Sequence, residues 1–221
     1  MPGFLHVSSH SMLITSFKVM YSTLRQQPKL TETIPRLDSI FFKWVAVNQQ
    51  PYFLLVRNPY TRIESFFKDK FRKSVILSEE KNEWQDFQKR FFAHLGLRTT
   101  MPPKTVGHKL RSTSFAEMLS ILPEVYTSDP HIWPQHWHKT ILGVSIPMKF
   151  DRVFKMECPD DLSEIATTFD LNFSISANST QSVKETLVWT EEHIEMVKNI
   201  YREDFKRFGY SLDISRKKEG S

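Results

Sequence analysis

The sequence predicts an α/β protein, because strand-like and helix-like patterns alternate along it. Gly3–Val7 is a short apolar strand, followed by the polar turn Ser8-Ser9-His10-Ser11 and a helical pattern from Thr15 that puts Phe17, Met20, Tyr21 and Leu24 on one face. Phe53–Val56 is a fully apolar run, followed by Asn58-Pro59 and by Ile63, Phe66, Phe67, Lys70 and Phe71 at helical spacing. Phe150–Glu157 alternates as a strand does, and Pro159–Phe169 follows as a helix. With 221 residues, 40% of them apolar, and 18 Phe against 6 Gly, the chain can bury a full core. One domain over residues 1–212 is expected, followed by a disordered basic tail over 213–221.

The remaining elements follow in order. Gln26–Arg36 is a polar connector punctuated by proline, and Ile40–Val47 reads as either a strand or a buried short helix. Asn58 suits a helix N-cap and Pro59 the first helical position, where its missing N–H is no loss. Ser78–Leu95 is expected as one helix whose Trp84, Phe87, Phe91 and Leu95 stripe faces the core. Arg98–Lys109, with Pro102, Pro103 and Gly107, is expected as an irregular loop. Ser114-Phe115-Ala116-Glu117 forms a capping box that opens a helix through Leu122. Thr190 caps a last helix, with Glu191 and Glu192 complementing its dipole, and Gly209 ends it.

Composition narrows the function. A net charge of +5 suits an anionic ligand or a glycan. No basic run with interleaved aromatics and no zinc-finger spacing occurs, so nucleic acid is not the expected partner. The single Cys158 excludes an intramolecular disulfide and a cysteine-rich metal site. The longest N-terminal apolar stretch is interrupted by His6, Ser8, Ser9, His10 and Ser11, so neither a signal peptide nor a membrane span is read and a cytoplasmic location is expected.

Two stretches carry chemistry. In Tyr52–Lys73, Arg57 stands at the carboxyl end of a strand, and Arg62 and Ser65 lie in the helix behind it. A guanidinium fork, a hydroxyl and a helix start suit a phosphate, against the plainer alternative of a strand–turn–helix with surface arginines. In Ser128–His138, three His and two Trp fall within eleven residues. Zinc would call for histidines on one helical face, an acidic partner or cysteines, so no metal is expected. A packed loop and a proton-transfer site both remain open.

Arg57-Asn58-Pro59-Tyr60-Thr61-Arg62-Ile63-Glu64-Ser65 closely resembles the 3'-phosphate-binding segment of sulfotransferases that use 3'-phosphoadenosine 5'-phosphosulfate (PAPS), in the form found in carbohydrate sulfotransferases and their soluble bacterial relatives. His131-Ile132-Trp133-Pro134-Gln135 resembles the His-Trp-x-Pro-Gln loop of that family, and Tyr201–Phe205 with Phe208–Tyr210 resembles its Tyr-x-x-Asp-Phe ending. The resemblance implies a central, mostly parallel sheet flanked by helices, the nucleotide-kinase-like fold of sulfotransferases, with the cofactor at the carboxyl ends of strands. It further implies PAPS as donor, no metal, and a hydroxyl-bearing glycan or small molecule as acceptor.

Residue by residue, the resemblance assigns the 3'-phosphate to Arg57 and Ser65, with Arg62 beside them, and the 5'-phosphosulfate to Thr15, Ser16, Phe17 and Lys18. Lys184, beyond Asn178-Ser179-Thr180, lies where the family has a loop near the nucleotide. The family's loop lysine, four residues (three in some branches) before a Thr or Ser, falls on Ser11 or Met12 in this alignment, which leaves Lys18 or His10 to substitute for it. His131 is the first choice for general base and His136 the second, an imidazole being suited to take a proton at neutral pH. Glu157 is either structural or a further candidate. An enzyme is expected. The alternative is a non-catalytic nucleotide- or glycan-binding relative, favoured by the displaced lysine, and a kinase-like loop is disfavoured because no GxxxxGK stretch occurs.

Overall fold

The computed structural model describes residues 3–6, 11–33, 51–136, 140–141, 144–145, 150–173 and 185–218. The expectations for Ile40–Val47, the Ser8–His10 turn, His138, Asn178–Thr180 and Lys184 lie outside the described residues. The chain forms two compact units. One comprises Met1–Asn58, Pro134–Asn178 and Glu203–Ser221, and the other Pro59–Trp133 and Ser179–Arg202.

The first unit holds a five-stranded mixed sheet. Strands β1 (Gly3–His6), β2 (Met12–Thr15), β3 (Leu30–Thr33), β4 (Tyr52–Val56) and β7 (Arg152–Lys155) run in the order β3-β1-β2-β4-β7. β2, β4 and β7 are parallel, with Thr15 opposite Leu55 and Val56 opposite Lys155. β1 is antiparallel to both its neighbours. Two-residue strands β5 (Thr140–Ile141) and β6 (Val144–Ser145) pair separately.

Residues 12–15 differ from the sequence expectation. Met12, Leu13, Ile14 and Thr15 are all buried, as a central parallel strand covered on both faces requires. The first strand and Met12–Thr15 are therefore a hairpin, and His6 N–H donates to Ser11 O at 2.9 Å across it. The helix expected from Thr15 begins only at α1 (Tyr21–Leu24). Phe4, Leu13, Val19, Leu24, Leu55, Phe154, Ile165 and Phe169 fill the core of this unit. Phe53 adds ring contacts to Phe154 at 5.8 Å and Phe169 at 5.3 Å. Helix α7 (Pro159–Thr168) follows β7 as the sequence indicates, with proline in its first turn and Asp160 and Asp161 at its positive end.

The second unit is helical. α2 (Pro59–Phe67) runs into a π-turn at Lys68–Lys73 and then α3 (Ser74–Lys81). The single helix expected over 78–95 is broken instead. Asn82 takes a left-handed conformation (φ 51°), and Gln85 with Gln88 forms a new capping box for α4 (Asp86–Phe92). The loop expected over 98–109 is α5 (Pro103–Ser112), because Pro103 sits at the start of the helix rather than inside it. Ser114 Oγ accepts from Glu117 N–H at 3.0 Å and opens α6 (Phe115–Val125). Phe66, Phe67, Phe71, Phe91 and Phe115 form one ring cluster. Thr190 caps α8 (Glu191–Ile200), as read from sequence.

At Tyr201 the last helical stretch breaks and resumes as α9 (Arg202–Phe208). Gly209 follows at φ 62°, a conformation glycine adopts without steric cost. Residues 214–216, assigned from sequence to the tail, form a 3-10 turn capped by Asp213.

Candidate functional site

In the first unit the carboxyl ends of β2, β4 and β7 lie side by side, the edge where open parallel sheets bind ligands. Beyond β2, Ser16–Met20 makes a tight turn. Thr15 Oγ1 donates to Val19 O at 2.8 Å, and Lys18 and Met20 both adopt left-handed φ, 71° and 53°. Positive φ outside glycine is uncommon and persists only where surrounding contacts impose it. The contact at Lys18 is with the next strand end, where the Arg57 guanidinium donates to Lys18 O at 3.0 Å.

This geometry bears on the alignment of the first loop. Ser11 precedes β2 and Thr15 lies inside it, so the strand–turn–helix turn occupies residues 16–20. In that frame the turn carries its own lysine, Lys18, with Ser22 four residues later and Thr23 behind it. These two hydroxyls escape sequence reasoning because the loop is read directly after Gly3–Val7, whereas the turn follows the next strand, β2. The signal that finds them is the unbroken apolar run Met12–Ile14.

Gln135 ties the edge together. Its Oε1 accepts Arg57 N–H at 2.9 Å, its Nε2 donates to Arg57 O at 2.6 Å, and Ser16 Oγ lies 3.3 Å from the same Oε1. Asp204, fully buried, holds the Gln135–His136 backbone. Oδ2 accepts Gln135 N–H at 2.7 Å and Oδ1 accepts His136 N–H at 2.8 Å, while His136 Nδ1 lies 2.6 Å from the same Oδ1.

Glu157, just beyond β7, accepts Asn58 N–H at 3.0 Å and Tyr210 O–H at 3.0 Å, and faces Arg57 Nε at 4.0 Å. Both its oxygens have structural partners. Burial, and then the charge and hydrogen bond of Glu157, push the Tyr210 phenol far above its ordinary range, so it remains a donor.

In the second unit the other candidates take different partners. Ser65 is buried in α2. Arg62, 1% exposed, donates through NH1 to Trp133 O at 2.7 Å and through NH2 to His131 O at 3.1 Å. Tyr201 O–H donates to the intervening Ile132 O at 2.6 Å. Three consecutive carbonyls are thus held by two side chains, which makes Arg62 an anchor of the 131–133 loop.

His131 Nδ1 lies 2.8 Å from Asp129 Oδ1, which also accepts His131 N–H at 2.8 Å. Burial alone pushes the Asp129 carboxyl up. The hydrogen bonds and charge of His131, with Arg90 at 3.4 Å, outweigh it and hold the group below its ordinary value. The two candidate bases therefore sit in different units, and His136 is the one joined to Ser16 and Arg57 through Gln135. Phe17 packs edge-on against Tyr21 at 5.0 Å. Among the described residues no cluster of His, Cys, Asp or Glu could hold a metal, and no helix is long and apolar enough to cross a membrane.

No curated protein and no solved structure matches the chain. One family model does, that of the sulfotransferase family, over residues 21–211. Its span takes in Arg57, the His131–Gln135 loop and the Tyr201–Tyr210 ending, and the mixed sheet with parallel core strands is consistent with it. The chain belongs to the sulfotransferase family, whose reaction is sulfuryl transfer.

Proposed function

We propose that this protein transfers the sulfuryl group of PAPS to a hydroxyl of a carbohydrate or small-molecule acceptor. The observation that carries the reading is the Arg57–Lys18 contact, which brings two cationic residues from adjacent strand-end turns onto one edge. Ser16, Ser22 and Thr23 belong to the same turn and helix. That donor set of two cations and several hydroxyls fits the phosphates of a bisphosphorylated nucleotide.

Arg57 and Ser65 take the 3'-phosphate, on the strength of their eight-residue spacing. Lys18 faces the 5'-phosphosulfate. As the acceptor oxygen bonds to sulfur and the sulfur–oxygen bond to the phosphate breaks, Lys18 neutralises the charge left on the phosphate oxygen. His136 Nε2 takes the proton of the acceptor hydroxyl. Positioning and charge supply most of the rate in such a transfer, and no metal enters. Lys18 in the turn supports the catalytic reading over the non-catalytic alternative.

Calorimetric titration with 3'-phosphoadenosine 5'-phosphate, with 5'-AMP as control, tests the reading. The bisphosphate binds and 5'-AMP binds weakly. Arg57→Ala abolishes the difference, because a charge-assisted contact leaves with it. Lys18→Ala weakens the bisphosphate less than Arg57→Ala does but lowers turnover by roughly 10²–10³-fold, the scale of one lost transition-state donor. Equal affinity for the two nucleotides, or none for either, overturns the assignment.

A further inference from the structure

We infer that Asp204 is a positioning residue, fixing the His136 ring so that Nδ1 carries the proton and Nε2 is presented as base. The inference rests on the sulfotransferase reading for its chemistry, but its geometry stands independently. Asp204 lies in the Tyr-x-x-Asp-Phe ending, which the proposed mechanism leaves without a chemical task.

Its carboxylate is fully buried and satisfied on both oxygens by Gln135 N–H and His136 N–H. A carboxylate offers only acceptors, so the ring nitrogen 2.6 Å from Oδ1 must donate. In the neutral ring a donating Nδ1 leaves Nε2 as the lone-pair nitrogen, and the second hydrogen bond of an imidazole fixes its tautomer in this way. The same carboxylate binds Gln135, whose amide grips both backbone groups of Arg57 and meets Ser16 Oγ. The base and the anion-binding edge are therefore aligned by one buried group. Glu203, the neighbouring carboxylate, is partly exposed and hydrogen-bonded to Arg207 at 3.2 Å, and the charge of His136 also bears on it, whereas the ring hydrogen bond goes to Asp204.

The test uses the full chain with ¹⁵N-histidine. The His136 signals are identified by their loss in His136→Gln, and long-range ¹H–¹⁵N spectra report the tautomer. The wild type shows Nδ1–H and an unprotonated Nε2. Asp204→Asn, whose amide can donate to Nδ1, shows the reverse. In parallel, turnover of PAPS with a mixture of monosaccharides as acceptors falls by roughly 10²–10⁴-fold in Asp204→Asn, the scale seen when a triad carboxylate is made an amide. Affinity for 3'-phosphoadenosine 5'-phosphate falls far less than turnover, since the Asn oxygen still accepts Gln135 N–H and so holds the Arg57 edge.

A wild-type His136 protonated on Nε2, or an Asp204→Asn protein with unchanged tautomer and turnover, overturns the inference. If Asp204→Asn does not fold, the wild-type tautomer still decides. If the chain binds no bisphosphate nucleotide, the sulfotransferase chemistry fails and the ring spectra judge the positioning role separately.

Discussion

Replacing Arg62 with methionine removes its bonds to two backbone carbonyls while keeping the buried stem. NH1 and NH2 serve the carbonyls of Trp133 and His131 at 2.7 and 3.1 Å from a side chain only 1% exposed. Hydrogen bonds from charged donors contribute about 1.5–3 kcal/mol each, so two bonds bracket roughly 3–6 kcal/mol. Methionine also relieves the cost of burying the guanidinium, which places the expected loss near the lower bound, about 3 kcal/mol. Equilibrium urea unfolding followed by circular dichroism reads it as a midpoint lowered by roughly 1–1.5 M, taking a slope of about 2–3 kcal/mol/M for a chain of this size. Arg62→Lys, which can reach one carbonyl, loses about half as much. A midpoint shift below about 0.3 M for Arg62→Met refutes the anchoring argument. The outcome also decides between anchor and nucleotide ligand. A ligand would lose bisphosphate affinity with the urea midpoint in place, whereas an anchor loses stability.

Other expectations follow from the same physics. The Asp129 carboxyl is held below its ordinary value, so its contribution to stability is present above the unfolded carboxylate range and is lost as pH falls through the folded value. The stability gap between wild type and Asp129→Asn therefore narrows as pH falls from about 5 through the folded carboxyl value; a gap that widens over that range refutes this. Asn82 ends its helix at φ 51° in an exposed position, so Asn82→Ala costs about 1 kcal/mol while Asn82→Gly changes stability by less than about 0.5 kcal/mol, and thermal unfolding distinguishes them.

Local patterns carried the sequence reading where the physics is local. The apolar run before Arg57, the prolines at positions 59 and 159, and the caps at Ser114 and Thr190 each specify an element within a few residues, and each is where the sequence put it. The errors came where one residue type serves opposite ends of an element. Pro102-Pro103 read as a breaker but starts a helix. Met12–Ile14, next to a serine-rich turn, read as loop but forms a central strand. The candidate site was legible as residue types and not as a network, because Gln135 meets Arg57 from 78 positions away and Asp204 meets His136 from 68. No periodicity encodes such pairings.

The distance along the chain from His136 to Asp204 has a consequence for synthesis. β1, β2, β4 and β7 all precede residue 156, so the sheet can assemble while the chain is still being translated. The histidine, however, has no buried carboxylate to lean on until Asp204 has left the ribosome. Clipping ahead of residue 203 would recreate that immature condition in a finished molecule, leaving the β-strands intact and the imidazole unsupported. The segment carrying Asp204 thus completes the support of a histidine made 68 residues before it.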